Sequence, residues 1–485
     1  MKTNQSRRHF LQTSAVAASG FLAFAGNAPK PVRASALQDL AVAGIGIGGK
    51  GHGDITQAGY YARVLAVCDV DRNTLEGVGK EFPDAKQYVD YRELFAEMGD
   101  KIDAATISTT DHMHAVQTAA AMKLGKHVYT QKPLTRTIWE ARRLAQLAKE
   151  KNLCTQMGNQ GSAEQSLRDN AAQLRAGVIG AVKEVHISTD RPIWPQGPNR
   201  KMTLQRFSDE AKAADAASAD AKIDEMKAKI AEAHKRLEWD LWLGVAPERE
   251  FWPGIYHSFV WRGWWDFGTG ALGDIACHSC NHTFKAFGLY NPVYAQATSS
   301  GHDFDSFPLK SVVEIGFGPT ESRGAAKFVW YDGNTPIPKS VYEKYGVENA
   351  GMVVIGEKGA AFGGSFKAEG GAEIPRLENV EPYRAAALDE AHSDGDSRHK
   401  KEWIDAIREG KPENCWSNFV DNAGPLTETV LMGNLAVWTA SEADQPGERI
   451  EWDPATMSVT NADKIKTPKT LDLIKPTFRE GYPEL

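Results

Sequence analysis

A short apolar run, Leu40-Ala41-Val42-Ala43, feeds directly into Gly44-Ile45-Gly46-Ile47-Gly48-Gly49-Lys50-Gly51. Within it Gly46, Gly48 and Gly51 stand in a G-x-G-x-x-G spacing. The first glycine permits a tight turn and the second lets a backbone approach a pyrophosphate. The third lets the following helix pack closely, its N-terminal amides facing the phosphates. A bare match of this kind is also compatible with a plain glycine-rich turn, so its setting matters. Arg63 to Cys68 reads as a second strand, and Asp69 closes it 23 residues after Gly46. That is near the ~20-residue spacing at which an acid grips the hydroxyls of a ribose. A carboxylate there repels a 2′-phosphate, which favours NAD over NADP, although Arg72 lies close by. Ile102 to Ser108, the helix-like His114 to Leu124 stopped by Gly125, and His127 to Thr130 continue a strand and helix alternation. The pattern predicts a doubly wound parallel sheet, an N-terminal Rossmann domain.

Upstream of this loop, Ser6-Arg7-Arg8-His9-Phe10-Leu11 pairs two arginines before a weakly apolar run from Ala15 to Ala25, and small residues follow up to Ala36. That order of charge, apolar stretch and small-residue exit predicts a twin-arginine signal over 1–36, hence the twin-arginine export machinery as a partner and a periplasmic location. Cleavage after Ala36 would remove five basic residues and no acid, moving the net charge from -7 to -12. The twin-arginine route carries folded proteins, which fits a cofactor inserted before export. No basic block follows the leader, which argues against a nucleic-acid partner. No other stretch reaches the roughly 18 apolar residues of a membrane span. Five cysteines, Cys68, Cys154, Cys277, Cys280 and Cys415, are odd in number and scattered, so they outline no disulfide framework. A chain of 485 residues, 42% hydrophobic, can bury sizeable cores. The predicted organisation is the leader, a nucleotide domain over 37–158, a substrate and oligomerisation α+β domain over 159–442, and a tail over 443–485.

TTDHMHA (109–115), GKHVYTQKPLT (125–135) and WEARRLAQLAKEKN (139–152) resemble the Gfo/Idh/MocA oxidoreductase family, whose fifth strand ends in Glu-Lys-Pro. The resemblance implies that Thr110 and His114 line the cofactor, that Lys132 is the active-site lysine and that Pro133 fixes the backbone after it. It also implies homo-oligomers. Gln131 departs from the family's Glu. Losing that anion disfavours the ammonium form of Lys132, as does the positive nicotinamide of bound NAD, and both favour its use as a base. Gln131 can still hydrogen-bond beside the cofactor.

Further on, Val182 to Thr189 alternates apolar and polar residues, and Val293 to Ala297, Val312 to Phe317, Phe328 to Tyr331 and Met352 to Ile355 are spaced too closely for strand and helix pairs. They predict a C-terminal open, largely antiparallel sheet. Gly270 to His278 resembles the family segment carrying D-x-x-x-H, and on a helix Asp274 and His278 lie one turn apart on one face. Oxidising an alcohol needs a hydride acceptor and a group that removes the hydroxyl proton. NAD supplies the first. Either Lys132 or His278 supplies the second, with Asp274 binding a hydroxyl and orienting the histidine. Arg191, Trp194, Tyr256, His257 and Trp264 belong to an aromatic and polar cluster, with Trp261, Arg262, Trp265 and Asp266, that suits a carbohydrate. The run CHSCNH (277–282) would point its ligands to different helix faces, so neither a zinc site nor a Cys277–Cys280 disulfide is expected. Residues 201–236 read as a helical insertion, foremost a solvated decoration, and helices are expected over Arg398–Ile407, with His399 near the cleft, and Thr427–Ala440. The chain thus reads as an exported NAD-dependent oxidoreductase for a secondary hydroxyl of a sugar or glycoside. The alternatives are a glycosidase working through transient oxidation and elimination, and a non-catalytic sugar sensor that keeps NAD as structure.

Overall fold

The computed structural model describes residues 39–482, 484 and 485, so the predicted leader over 1–36 lies outside the described residues. Within them a first sheet is built from β1 (Ala41–Ile45), β2 (Arg63–Cys68), β3 (Lys86–Tyr88), β4 (Ala104–Ile107), β5 (His127–Gln131) and β6 (Thr155–Gly158). Their order is β3-β2-β1-β4-β5-β6, and every neighbouring pair is parallel. The central strands β1 and β4 are buried along their whole length, as apolar runs covered by helices on both faces must be. The order reverses between β1 and β4. In such sheets the crevice beyond the carboxyl ends of the strands at the reversal is where ligands bind.

The second sheet contains β7 (Val182–Ser188), β8 (Pro292–Ser299), β9 (Ser311–Phe317), β10 (Ala326–Tyr331), β11 (Met352–Gly356), β12 (Ala360–Phe362), β13 (Ser365–Lys367), β14 (Ile450–Asp453) and β15 (Ser458–Val459). They run in the order β13-β12-β11-β7-β10-β9-β8-β14-β15, antiparallel throughout except for the parallel β7–β10 pair. Its covered face carries Val185, Ile187, Ala295, Ala297, Val313, Ile315, Phe328 and Trp330. These residues share one core with Ile107 and Met157 of the first half, and the helix Gly424–Thr439 lies in that core, buried along nearly its whole length. The parallel sheet and the largely antiparallel one are the architecture expected from the strand patterns above.

Three segments differ from expectation. The 201–236 insertion is two helices, Leu204–Ala214 and Ala219–His234, and it is no solvated decoration: Phe207, Met226, Ile230 and Ala233 pack on an aromatic core with Trp239, Trp252, Tyr256 and Trp264. On the second helix the steps of four and three residues from Met226 to Ile230 to Ala233 are the stripe a packed helix needs. The 443–485 segment is woven into the fold, since β14 pairs with β8 and so extends the second sheet. The helix Gly395–Glu409 returns to the first half, where Trp403, Ile404 and Ile407 pack with Val42, Ile55 and Val67. Its His399 therefore lies in the interior, bonded to the Tyr129 hydroxyl at 2.9 Å and the Ser162 hydroxyl at 2.9 Å, and does not border the cleft.

Candidate active site

A cleft of about 840 Å³ opens at the carboxyl ends of β1, β4 and β5, and its opposite wall comes from residues 191–194, 257–262 and 274–278. At one end the glycine loop leaves β1. Gly46 has φ 73°, and a Cβ there would fall 2.8 Å from the Ser108 carbonyl carbon. A Cβ on Gly51 would lie 1.8 Å from the Gly46 carbonyl oxygen, so the turn and the helix start it leads into both exclude a side chain. Gly48 borders open cleft, where a pyrophosphate could approach its backbone. Lys50, in the first turn of the helix Lys50–Gly59, adds a cation at that spot and pairs with Asp54 at 3.2 Å and Asp396 at 2.5 Å.

Asp69 follows β2 and is held by the backbone N–H groups of Ile47 and Asp71, which donate to its two oxygens at 2.9 Å each. Burial pushes its carboxyl up to about 6, so it is charged at neutral pH. Arg72, the residue that could have received a 2′-phosphate, is committed to Glu238 at 2.6 Å. These residues fit NAD. His257 also borders the cleft, but it bonds Asp71 at 3.1 Å. It belongs to the nucleotide end, which corrects its assignment to substrate.

Thr110 caps the start of the helix Asp111–Lys123 and borders the cleft. His114 on that helix reaches the Pro133 carbonyl at 2.8 Å and the Thr109 carbonyl at 3.1 Å. Burial pushes it down to about 4, so the ring is neutral and donates through one nitrogen only. It ties the loop after β4 to the turn after β5. Gln131, the last residue of β5, donates its amide N–H to Asp54 at 2.7 Å and accepts the Lys132 backbone N–H at 3.3 Å. The anion lost at position 131 thus stands one residue further back, on Asp54.

At the other end Lys132 forms an ion pair with Asp274 of the helix Gly270–Ser279, so the lysine keeps a counter-charge that its sequence neighbours do not supply. Arg262 reaches the same Asp274 oxygen at 3.2 Å. Burial works to raise the Asp274 carboxyl, but the Lys132 ammonium and the Arg262 guanidinium outweigh it and hold the group below the ordinary carboxylate range. One turn on, His278 borders the cleft and, among the described residues, has no hydrogen-bond partner. Burial, and then Lys132, push it down to about 3, leaving a neutral imidazole with a free lone pair.

Lys132, Asp274 and His278 therefore meet in the cleft, which Arg191 and Trp194 also line. Tyr256 and Trp264 do not reach it. Both are 1% exposed, and Trp264 donates its indole N–H to the Ile255 carbonyl at 2.9 Å. These two substrate assignments are corrected: the rings form the core on which the insertion packs. Cys277 and Cys280 are free thiols, both buried. Asp111 was not foreseen. It is 3% exposed, borders the cleft and accepts from the Thr269 hydroxyl at 2.7 Å. Burial pushes it up to about 7. Its signal, an acid opening the helix after β4, lay unread inside TTDHMHA.

The buried histidines set the acid response. His112, His114, His127, His278 and His282 are pushed down to between about 3 and 4, so each contributes stability above its unfolded value near 6.5 that is lost as the pH falls. Asp69, Asp111 and Asp332, pushed up to about 6 or 7, act in the opposite sense over that window but are fewer. The melting temperature is expected to fall from pH 6.5 to 4, with net uptake of protons on unfolding at pH 5. Melting curves and calorimetry across buffers check this.

A glycine-loop sheet and an open sheet that face one cleft define the class of two-domain dinucleotide-binding proteins. Residues 39–159 match the family model described as "Oxidoreductase family, NAD-binding Rossmann fold", and residues 222–285 match "Oxidoreductase family, C-terminal alpha/beta domain". Both models are those of the Gfo/Idh/MocA oxidoreductase family, which these two stretches resemble. It is 31% identical over 169 residues to the inositol 2-dehydrogenase/D-chiro-inositol 3-dehydrogenase of Lacticaseibacillus casei, covering 34% of this chain and 48% of that one. It is 28% identical over 185 residues to a glycosyl hydrolase family 109 protein of Shewanella pealeana, covering 33% of this chain and 40% of the other. The matches thus span less than half of these relatives' own length. An inositol dehydrogenase homolog from Azotobacter vinelandii, complexed with NADH and myo-inositol, shares the fold: TM-score 0.51, 15% identity, with 86% of this chain and 98% of that one covered.

Proposed function

We propose that the protein is an exported NAD-dependent oxidoreductase acting on a secondary hydroxyl of a sugar or glycoside. The observation that carries this reading is the single cleft in which Asp69 and the glycine loop lie at one end and Lys132, Asp274 and His278 at the other. Gly46, Gly48, Gly51, Lys50 and Asp69 would hold the dinucleotide, with Thr110 and Gln131 beside it. Bound NAD supplies the hydride acceptor. His278, neutral and unpartnered, accepts the hydroxyl proton at a ring nitrogen. The Lys132 ammonium, fixed by Asp274, hydrogen-bonds the substrate oxygen and stabilises the negative charge that grows there. Arg262 and Asp274 bind neighbouring hydroxyls, and Trp194 and Trp261 supply apolar faces for a sugar ring. Export rests on the paired arginines Arg7 and Arg8.

A second reading is favoured by the partial likeness to a glycosyl hydrolase family 109 protein. There the same residues would take the proton from the C–H made acidic by the oxidised carbon beside it, protonate the departing aglycone and direct water to the carbon it leaves, before the hydride returns, with no net redox change. A sensor without turnover is disfavoured, because it has no need of the proton-handling groups around His278.

Mass spectrometry of the nucleotide released on denaturation, followed by a glycoside panel scored for keto products and aglycones, tests these readings. NAD with a stable keto-sugar supports the first, and free aglycone without an oxidised product supports the second. A protein that takes up no dinucleotide overturns both.

A further inference from the structure

Residues 474–482, 484 and 485 have no part in the reading above, yet they are fastened across the nucleotide half. The Trp139 N–H donates to the Ile474 carbonyl at 2.9 Å, and the Lys475 ammonium lies 4.7 Å from the Trp139 ring centre. Arg479 then clamps the turn after the short helix Trp239–Leu243. Its guanidinium donates to the Gly244 carbonyl at 3.0 Å, the Asp240 carbonyl at 2.8 Å and the Asp240 carboxylate at 2.6 Å. Its backbone N–H donates to the Val245 carbonyl at 3.2 Å. Lys123 and Arg143 bond the carbonyls of Glu484 and Leu485 at 3.2 and 3.3 Å.

Between these fastenings, Tyr482 borders a small recess that opens off the Asp69 end of the cleft. Val70, Val89 and Tyr91, beyond the ends of β2 and β3, form the nucleotide-half walls. Leu241 and Tyr482 border it too, with the polar side chains of Asp90, Thr109 and Gln117, and the Arg92 guanidinium lies 5.4 Å from the Tyr482 ring centre. Asp69, Val70 and Leu241 border both the recess and the cleft, so the two spaces are continuous. The recess adjoins Asp69, so the base of a ribose held by that acid has it within reach. Val70, Val89, Tyr91, Leu241 and Tyr482 offer it apolar and aromatic surface, the chemistry that stacks a purine, and Asp90, Thr109 and Gln117 offer hydrogen-bonding groups at its edge.

We propose that the C-terminal segment is a strap that closes the adenosine end of the dinucleotide site, with Tyr482 and Leu241 covering the base and Arg479 holding the strap shut. This rests on the reading that the cleft binds NAD, and goes beyond it by assigning retention of the cofactor to residues outside the Rossmann half. The strap must open for the dinucleotide to leave, so it sets the rate of release.

Dissociation of NAD, ADP-ribose and nicotinamide mononucleotide from the full-length protein, followed by stopped-flow fluorescence and calorimetry, tests the proposal. Removing one aromatic stacking partner in Tyr482→Ala is expected to speed release of NAD and ADP-ribose about tenfold. Nicotinamide mononucleotide, which lacks the adenosine, should be unaffected. Arg479→Ala, outside the recess, should speed release in the same selective way, and Arg479→Lys should restore part of the retention. Unchanged release in both alanine variants overturns the strap, as does an equal loss for ADP-ribose and nicotinamide mononucleotide. A wild-type protein that binds neither NAD nor ADP-ribose overturns the nucleotide reading itself, and the strap with it.

Discussion

Replacing Lys132 by alanine is expected to lower turnover by about 10²–10⁴-fold, the usual span for a positioned proton-handling group, while the purified protein keeps its bound dinucleotide. The two effects separate because Lys132 pairs with Asp274 and makes no hydrogen bond or ion pair with the glycine loop or Asp69. Its ammonium is held by Asp274, which Arg262 also contacts, so the carboxylate keeps a cation when the lysine is removed. Lys132→Arg keeps the charge but not the compact ammonium geometry and should recover little. His278→Asn should cost a comparable factor, and since burial and Lys132 hold the imidazole neutral down to about pH 3, the wild-type rate should show no acid limb near pH 6.5 from this group. Steady-state kinetics beside nucleotide content by absorbance and mass spectrometry check both. Turnover within a few-fold of wild type in Lys132→Ala would remove the lysine from the mechanism.

Asp54→Asn is expected to destabilise the fold by about 3–5 kcal/mol, the cost of leaving one member of a buried ion pair alone. Asp54 and Lys400 are both wholly buried and 2.7 Å apart. Burial works against the charge on Asp54, but Lys400 and Lys50 hold its carboxyl below the ordinary range. The same carboxylate accepts from the Ser108 hydroxyl at 2.8 Å and the Gln131 amide at 2.7 Å, so it anchors the loop after β4 and the end of β5 together. The Lys400 ammonium also lies 3.9 Å from the Tyr129 ring centre. The double variant Asp54→Asn with Lys400→Met should regain much of the loss, because a neutral pair leaves no charge to desolvate. Urea unfolding of the three proteins reads this directly. A single variant as stable as wild type would mean that water or another group balances Lys400.

What could be read from the sequence was what neighbouring residues decide. The glycine loop, Asp69, and the apolar runs of β1 and β4 are local patterns with one geometric outcome. The D-x-x-x-H spacing became one helix face because a turn separates Asp274 from His278. Tyr256 and Trp264 were misassigned because composition marks an aromatic loop without saying which rings turn inward, and here the insertion helices cover them. Asp54 with Lys400, and Tyr482 with Leu241, join parts of the chain far apart in sequence, so no spacing announces them. The strands β3, β12 and β13 have three residues each, too few for a period to show.

The position of the helix Gly395–Glu409 bears on how the protein is made. Lys400 completes the charge pairing under the glycine-loop helix, and that residue is translated long after the loop itself. A nascent chain still on the ribosome therefore presents Asp54 with Lys50 alone until residue 400 has been made, so the charge pairing beneath the glycine loop is completed only after most of the second sheet has been synthesised.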